Sequence, residues 1–246
     1  MSVTLTFLGS GDAFGTDGRL QTCLALRGGA ATMLLDCGAS SLVAMKRFGV
    51  ASNEVAAVVL SHLHGDHFGG LPFLILDGQF ARRTTPLVVA GPPGVRERVE
   101  RAMEVFFPGS TRIERRFGVD YVELGDRVPA TVAGARVTAF AVEHPSGAPA
   151  YALRIEYGGR TLAYSGDTQW TESLVDAARG TDCFVCEAYT FDRKLPFHLD
   201  YATVRAEAAR FGARRIVLTH MGPSMLERRA EAEFECATDG LVVSLG

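Results

Sequence analysis

Apolar positions recur along the chain in short bursts of the length a strand can hold. Val3 to Leu8 alternates and then becomes wholly apolar, a strand entering a core. Segments 22–26 and 32–36 read as a hairpin across Arg27-Gly28-Gly29. The run 55–60 has no polar alternation and predicts a strand buried on both faces. Further strands are predicted over 86–90, 121–124, 128–132, 136–142, 151–157, 160–164 and 182–186, with 151–157 turning back at Gly158-Gly159. The last two, 215–219 and 241–245, read as a pair. Helical spacing takes over in five places. The first is 40–48, through Leu42, Val43 and Met45, and the second is 71–80, opening with Pro72. In 95–107, Val95, Val99 and Met103 share one face, and Arg96, Arg98, Glu100 and Arg101 a solvated one. The others are 171–179 and a helix from His198 to Phe211, ended by Gly212. Strands fall in two blocks, each with helices alongside, which allows a layered α/β sandwich in one domain over 1–246.

An apolar fraction of 47% supplies a core for such a domain. The net charge of −3 offers no bulk attraction to nucleic acid or an anionic membrane. No apolar run approaches the roughly 20 residues of a membrane helix, and no leader pattern opens the chain. A cytoplasmic, non-membrane protein is expected. The five cysteines are odd in number and widely spaced, unlike a disulfide framework. Cys183 and Cys186 lie three apart in a strand, so they leave on opposite faces, and core packing is their expected role.

The chemistry concentrates elsewhere. Ser61-His62-Leu63-His64-Gly65-Asp66-His67 places three imidazoles and a carboxylate just past the buried run 55–60. Imidazole nitrogen and carboxylate oxygen are ligands for zinc-like cations. His62 and His64 share one face of an extended backbone. Gly65 is expected to allow a sharp turn that aims Asp66 and His67 at a second, neighbouring cation. Three more donors end apolar runs: His144 after 137–142, Asp167 after 161–164, and His220 after 216–219. Open sheets put their binding sites at such strand ends. Asp36 closes another strand, where it either orients a ligand histidine or caps the next helix. The loop Gly9 to Gly15 reads as a tight turn.

His-x-His-x-Asp-His, then a lone His, an Asp in Ser165-Gly-Asp-Thr168 and a lone His in Leu218-Thr-His220 together resemble the metallo-β-lactamase-fold hydrolase superfamily. Phe7-Leu-Gly-Ser-Gly11, Ser165-Gly-Asp-Thr168 and Leu218-Thr-His220 are most similar to its ribonuclease Z and phosphodiesterase branch. The resemblance implies a four-layer αββα sandwich with a metal site at one edge of its two sheets. It further implies that His62, His64 and His144 hold one divalent cation and Asp66, His67 and His220 another, with Asp167 between them. Zinc is expected before manganese or iron. Two such cations clamp attacking and leaving oxygens and lower the pKa of a bound water to roughly 7. Asp66, Asp167 and His198 are the expected catalytic residues, His198 as general acid for the leaving oxygen. The branch usually shows His-Ser-Thr where this chain has His198-Leu-Asp-Tyr.

Only the stretch 145–166 separates His144 from Asp167, and a hairpin consumes it. The tRNA-processing enzymes carry a long arm there. A small phosphodiester, such as a cyclic nucleotide or cyclic phosphate, is therefore the expected substrate, and extended nucleic acid is not. The alternative is a lactonase, thioesterase or other carboxylic-ester hydrolase of the same fold. A non-hydrolytic metal protein fits less well, since the redox branch has Glu where His64 stands and no donor is missing. Relatives are often dimers, so a homodimer is allowed.

Overall fold

Two seven-stranded sheets organise the chain in the computed structural model, which describes residues 2–29 and 31–246. The first half contributes β1 (Thr4–Gly9), β2 (Cys23–Arg27), β3 (Thr32–Leu35), α1 (Ser41–Arg47), β4 (Val55–Val59), α2 (Gly65–Phe68), α3 (Leu71–Phe80), β5 (Leu87–Gly91), α4 (Val95–Phe106) and β6 (Val119–Glu123). The second contributes β7 (Pro129–Val132), β8 (Ala135–Val142), β9 (Ala150–Tyr157), β10 (Arg160–Tyr164), α5 (Ser173–Ala178), β11 (Cys183–Glu187), α6 (Tyr201–Phe211), β12 (Ile216–Thr219), α7 (Pro223–Glu227), β13 (Glu235–Cys236) and β14 (Val242–Ser244).

The first sheet runs β14-β1-β2-β3-β4-β5-β6 and the second β13-β12-β11-β10-β9-β8-β7. Leu5, Phe7, Met33 and Val59 meet Val137, Leu153, Leu162 and Val185 between them. Helices α1, α3 and α4 cover the first sheet's outer face through Met45, Leu74 and Val99. Helices α5, α6 and α7 cover the second through Leu174, Val204 and Met225. This is the expected αββα order. Strand β4 explains why its sequence lacks alternation: Ala57 and Val59 face the inter-sheet core, Val58 and Leu60 the helices. Cys183 and Cys186 are free thiols packed on opposite faces of β11. Among the described residues no helix is long and apolar enough to cross a membrane.

Two expectations are corrected. Segments 215–219 and 241–245 do not pair: β12 lies parallel between β11 and β13, whereas β14 is antiparallel to β1 at the edge of the other sheet. Val243 is buried between exposed Val242 and Ser244, so the pattern reports a strand but not its partner. Nor does His198 open a helix. The antiparallel bridge Leu195–His198 closes a tight turn over 196–197, with Phe197 at φ +67°, and the bridge Thr190–Asp200 ties the end of that turn to the segment after β11. Helix α6 starts at Tyr201, with Asp200 as its N-cap accepting from the Thr203 N–H at 2.8 Å.

Strands β3 to β6 run parallel, as do β10 to β13. The segments leaving the carboxyl ends of β3, β4, β10, β11 and β12 carry the functional side chains, the arrangement open α/β sheets favour.

Candidate metal centre

His62 and His64 follow β4 in extended backbone, and one helical turn, α2, then presents Asp66 and His67. Gly65 is not the sharp turn expected of it. It has no positive φ, and a Cβ there would meet nothing within 4 Å. Gly166 is the glycine that matters: its φ is +58°, and a Cβ would approach the Tyr151 carbonyl to 2.8 Å. That left-handed residue turns Asp167 into the site. His220 leaves β12 with φ +54° and Asp36 leaves β3 with φ +55°, both non-glycine residues held in the left-handed region.

The structure brings all seven expected donors together. Ligand atoms of His62, His64 and His144 lie within 4.8 Å of one another, as do those of Asp66, His67, Asp167 and His220. Asp167 Oδ2 lies 3.3 Å from both His67 Nε2 and His220 Nε2, 3.9 Å from His62 Nε2 and 4.0 Å from His144 Nε2. Asp66 Oδ2 is 3.1 Å from His67 Nε2 and 3.4 Å from His220 Nε2. Donors on a tetrahedral ion with bonds of about 2.0–2.1 Å are separated by about 3.3 Å. The spacing therefore fits cations better than hydrogen bonds.

Three of the imidazoles are anchored through Nδ1, which turns Nε2 toward the centre. His62 Nδ1 donates to Ser61 Oγ at 3.0 Å and His67 Nδ1 to Asp36 Oδ2 at 2.7 Å. His144 Nδ1 donates to the Phe197 carbonyl at 2.9 Å, and its Nε2 faces His64 Nδ1 at 3.0 Å. Buried His62 Nε2, His67 Nε2 and Asp167 Oδ1 have no hydrogen-bond partner. Orphaned buried polar atoms are costly, and here they converge on the places two cations would fill. Asp36 takes the orienting role rather than the capping one. It accepts from Ser61 N–H at 2.7 Å, Ser61 Oγ at 2.8 Å and Tyr164 Oη at 2.8 Å, besides His67.

Carboxylates and imidazoles shift one another's protonation across the cluster. Burial pushes the His67 imidazole down, but Asp167, Asp66 and Asp36 overcome it and hold it well above its ordinary value. Burial likewise opposes His220, yet Asp167 and Asp66 raise it to about 9. Asp66 and Asp167 are held below the usual carboxylate range, against burial, by His67 and His220. His62 is pushed well down by burial and by the His67 charge, and His144 is lowered by burial. A divalent cation would replace the protons on His67 and His220.

His64, Asp66, His144, Asp167 and His220 line a pocket of about 130 Å³, with Ala13 and Phe14 from the Gly9–Gly15 loop on one wall and His198 on another. His198 Nδ1 donates to Glu187 Oε2 at 3.0 Å, which leaves Nε2 free. The His198 ring lies tilted against Tyr189, centroids 4.9 Å apart, is nearly parallel to His220 at 5.8 Å, and stands 5.1 Å from the ring of His144. Burial lowers the His198 pKa, but the Glu187 hydrogen bond and the charges of Glu187 and Asp167 together outweigh it, and the net shift is upward. Glu187 is fully buried, its pKa raised by burial and by Asp167, and it accepts from the Thr168 N–H with its other oxygen. Sequence reasoning missed Glu187, although it ends an apolar run just as His144, Asp167 and His220 do. Tyr189 and Phe14 carried no such signal.

A family model described as "Beta-lactamase superfamily domain" matches residues 31–221. The chain belongs to that superfamily. It is 31% identical to an uncharacterised protein of Mycobacterium tuberculosis, over 98% of this chain and 89% of that one. A ribonuclease Z from Agathobacter rectalis is 26% identical over 89% of this chain and 88% of that one. A metallo-β-lactamase fold protein from Bacillus subtilis superposes with a TM-score of 0.82 at 21% identity, covering 99% of this chain and 100% of that one. The chain is thus a hydrolase of the metallo-β-lactamase fold, with donor clusters suited to divalent metal.

Proposed function

We propose that the chain is a single-domain dinuclear phosphodiesterase acting on a small or short substrate. The observation that carries this reading is Asp167 Oδ2, set within 4.0 Å of four imidazole nitrogens drawn from both donor clusters. His62, His64 and His144 would hold one cation and Asp66, His67 and His220 the other, with Asp167 shared. Five imidazoles and two carboxylates without a thiolate favour zinc, ahead of manganese or iron. When bound, the two cations would polarise the phosphoryl oxygens and acidify a water.

The chain's own groups do the rest. Asp66 lines the pocket beside His67 and His220 and is the carboxylate suited to hold and orient the attacking water. His198 Nε2 delivers a proton to the departing oxygen, while Glu187 fixes the opposite nitrogen as the donor of its own N–H. The upward shift of the His198 pKa favours its protonated form. A short β9–β10 hairpin fills the interval between His144 and Asp167, and the pocket is small; both support a compact substrate. A cytoplasmic location belongs to the same reading, supported by five free cysteines. So does a homodimer, supported by exposed Phe73, Phe80 and Phe106 on α3 and α4.

The test is turnover of bis-p-nitrophenyl phosphate by metal-loaded protein, beside a lactone and a thioester. Phosphodiester turnover that disappears in Asp167→Ala is the expected result. Ester or lactone turnover without phosphodiester turnover would transfer the chain to the carboxylic-ester hydrolases.

A further inference from the structure

Next to the metal pocket lies a second cleft of about 180 Å³, walled by Arg98 and Arg101 of α4, Glu97, Leu63, Gly147 and Ala148. Leu63 sits between His62 and His64, and Gly147 three residues after His144, so the cleft shares the segments that present three of the donors. Strands β4 and β5 are parallel neighbours. The start of α4, just past β5, therefore lies at the same sheet edge as the segment past β4. Arg98 is held toward the site: Nη1 donates to the Leu63 carbonyl at 3.5 Å, and a Cβ on Gly147 would come within 3.1 Å of Nη2. This departs from the solvated face expected of the α4 arginines.

Neither guanidinium has a carboxylate within ion-pair distance among the described residues, although Glu97 stands in the same wall. Arg27, Arg127, Arg210 and Arg228, all partly exposed, do have such partners. Two free guanidinium forks in one small cleft suit an oxyanion with several acceptor oxygens.

We propose that Arg98 and Arg101 form a subsite for a second phosphate of the substrate. This rests on the phosphodiesterase reading and sharpens it. The favoured substrates are short linear phosphodiesters with a further phosphate, such as terminally phosphorylated dinucleotides. A cyclic mononucleotide, whose only phosphate is the scissile one, would leave the cleft empty.

The experiment compares kcat/KM of metal-loaded protein on one dinucleotide with no terminal phosphate, a 5′-phosphate or a 3′-phosphate, with bis-p-nitrophenyl phosphate alongside. Wild type should prefer one phosphorylated form by about tenfold or more, the value of a charge-assisted hydrogen bond. The preference should shrink in Arg101→Gln, an exposed position, and vanish in Arg98→Gln/Arg101→Gln. Each protein supplies its own ratio, so a general loss of activity lowers both rates and leaves the ratio unchanged. No preference in wild type, or a preference that survives in the double variant, overturns the subsite. If no phosphodiester is turned over, bis-p-nitrophenyl phosphate included, the phosphodiesterase reading fails and the subsite falls with it.

Discussion

Asp36→Asn isolates the orientation of His67 from its identity. The carboxylate accepts four hydrogen bonds: two from Ser61 and one each from Tyr164 Oη and His67 Nδ1. Asparagine has the same shape and tolerates the φ of +55° at this position, so the backbone is not challenged. If its oxygen keeps the Ser61 N–H, its NH₂ faces the other three donors. The two hydroxyls can rotate and accept. His67 cannot. Either its Nδ1–H is left unpaired in a buried site, at about 1–3 kcal/mol, or the proton moves to Nε2, the atom needed for the cation. Loss of such an orienting partner typically weakens metal binding about 10–100-fold. Competition against a chromophoric chelator reads the affinity, and thermal unfolding of the metal-free protein reads the stability. Zinc affinity within about twofold of wild type, well short of that expected range, would refute the orienting role.

Three further outcomes follow from the same geometry. Glu187→Gln removes the carboxylate charge that helps raise His198, so the imidazole pKa falls and the alkaline limb of kcat/KM moves to lower pH; an unmoved limb would clear His198 of the general-acid role. Metal binding should release protons near pH 7, because the neighbouring carboxylates raise both His67 and His220 and a cation competes with their protons, and release from His220 should fade as pH passes about 9. Calorimetry in buffers of different ionisation enthalpy counts those protons, and a count of zero at pH 7 contradicts the charge balance. Gly65→Ala should leave the melting temperature unchanged or slightly raised, since alanine favours the helical turn and meets no neighbour; a clear drop would restore the tight-turn role.

Much of this centre was legible in the sequence because its donors obey a local rule: each stands just past an apolar run. His62, His64, Asp66, His67, His144, Asp167 and His220 all follow it, and so does Glu187, which was passed over because a C-x-x-C drew attention to the strand instead. The layered fold was legible for a similar reason, since β4 and β11 are apolar on both faces and must be covered on both. Pairing was not. Strand β14 shows the right alternation, but which sheet receives it depends on the chain crossing from β12 past α7 and β13, a non-local matter. The tight turn before α6 was hidden because His198 is a plausible helix start, and only the bridges Leu195–His198 and Thr190–Asp200 move that start to Tyr201. Arg98 read as a solvated residue because helical periodicity carries no information about a neighbouring loop.

Metal content tests the central claim most directly. Protein purified, stripped and reloaded with zinc should retain two ions per chain by mass spectrometry of the native protein. Asp167→Ala, which removes the carboxylate oxygen lying between the two donor clusters, should weaken both ions together. One ion per chain in wild type, or two ions undisturbed in Asp167→Ala, would contradict a shared dinuclear centre.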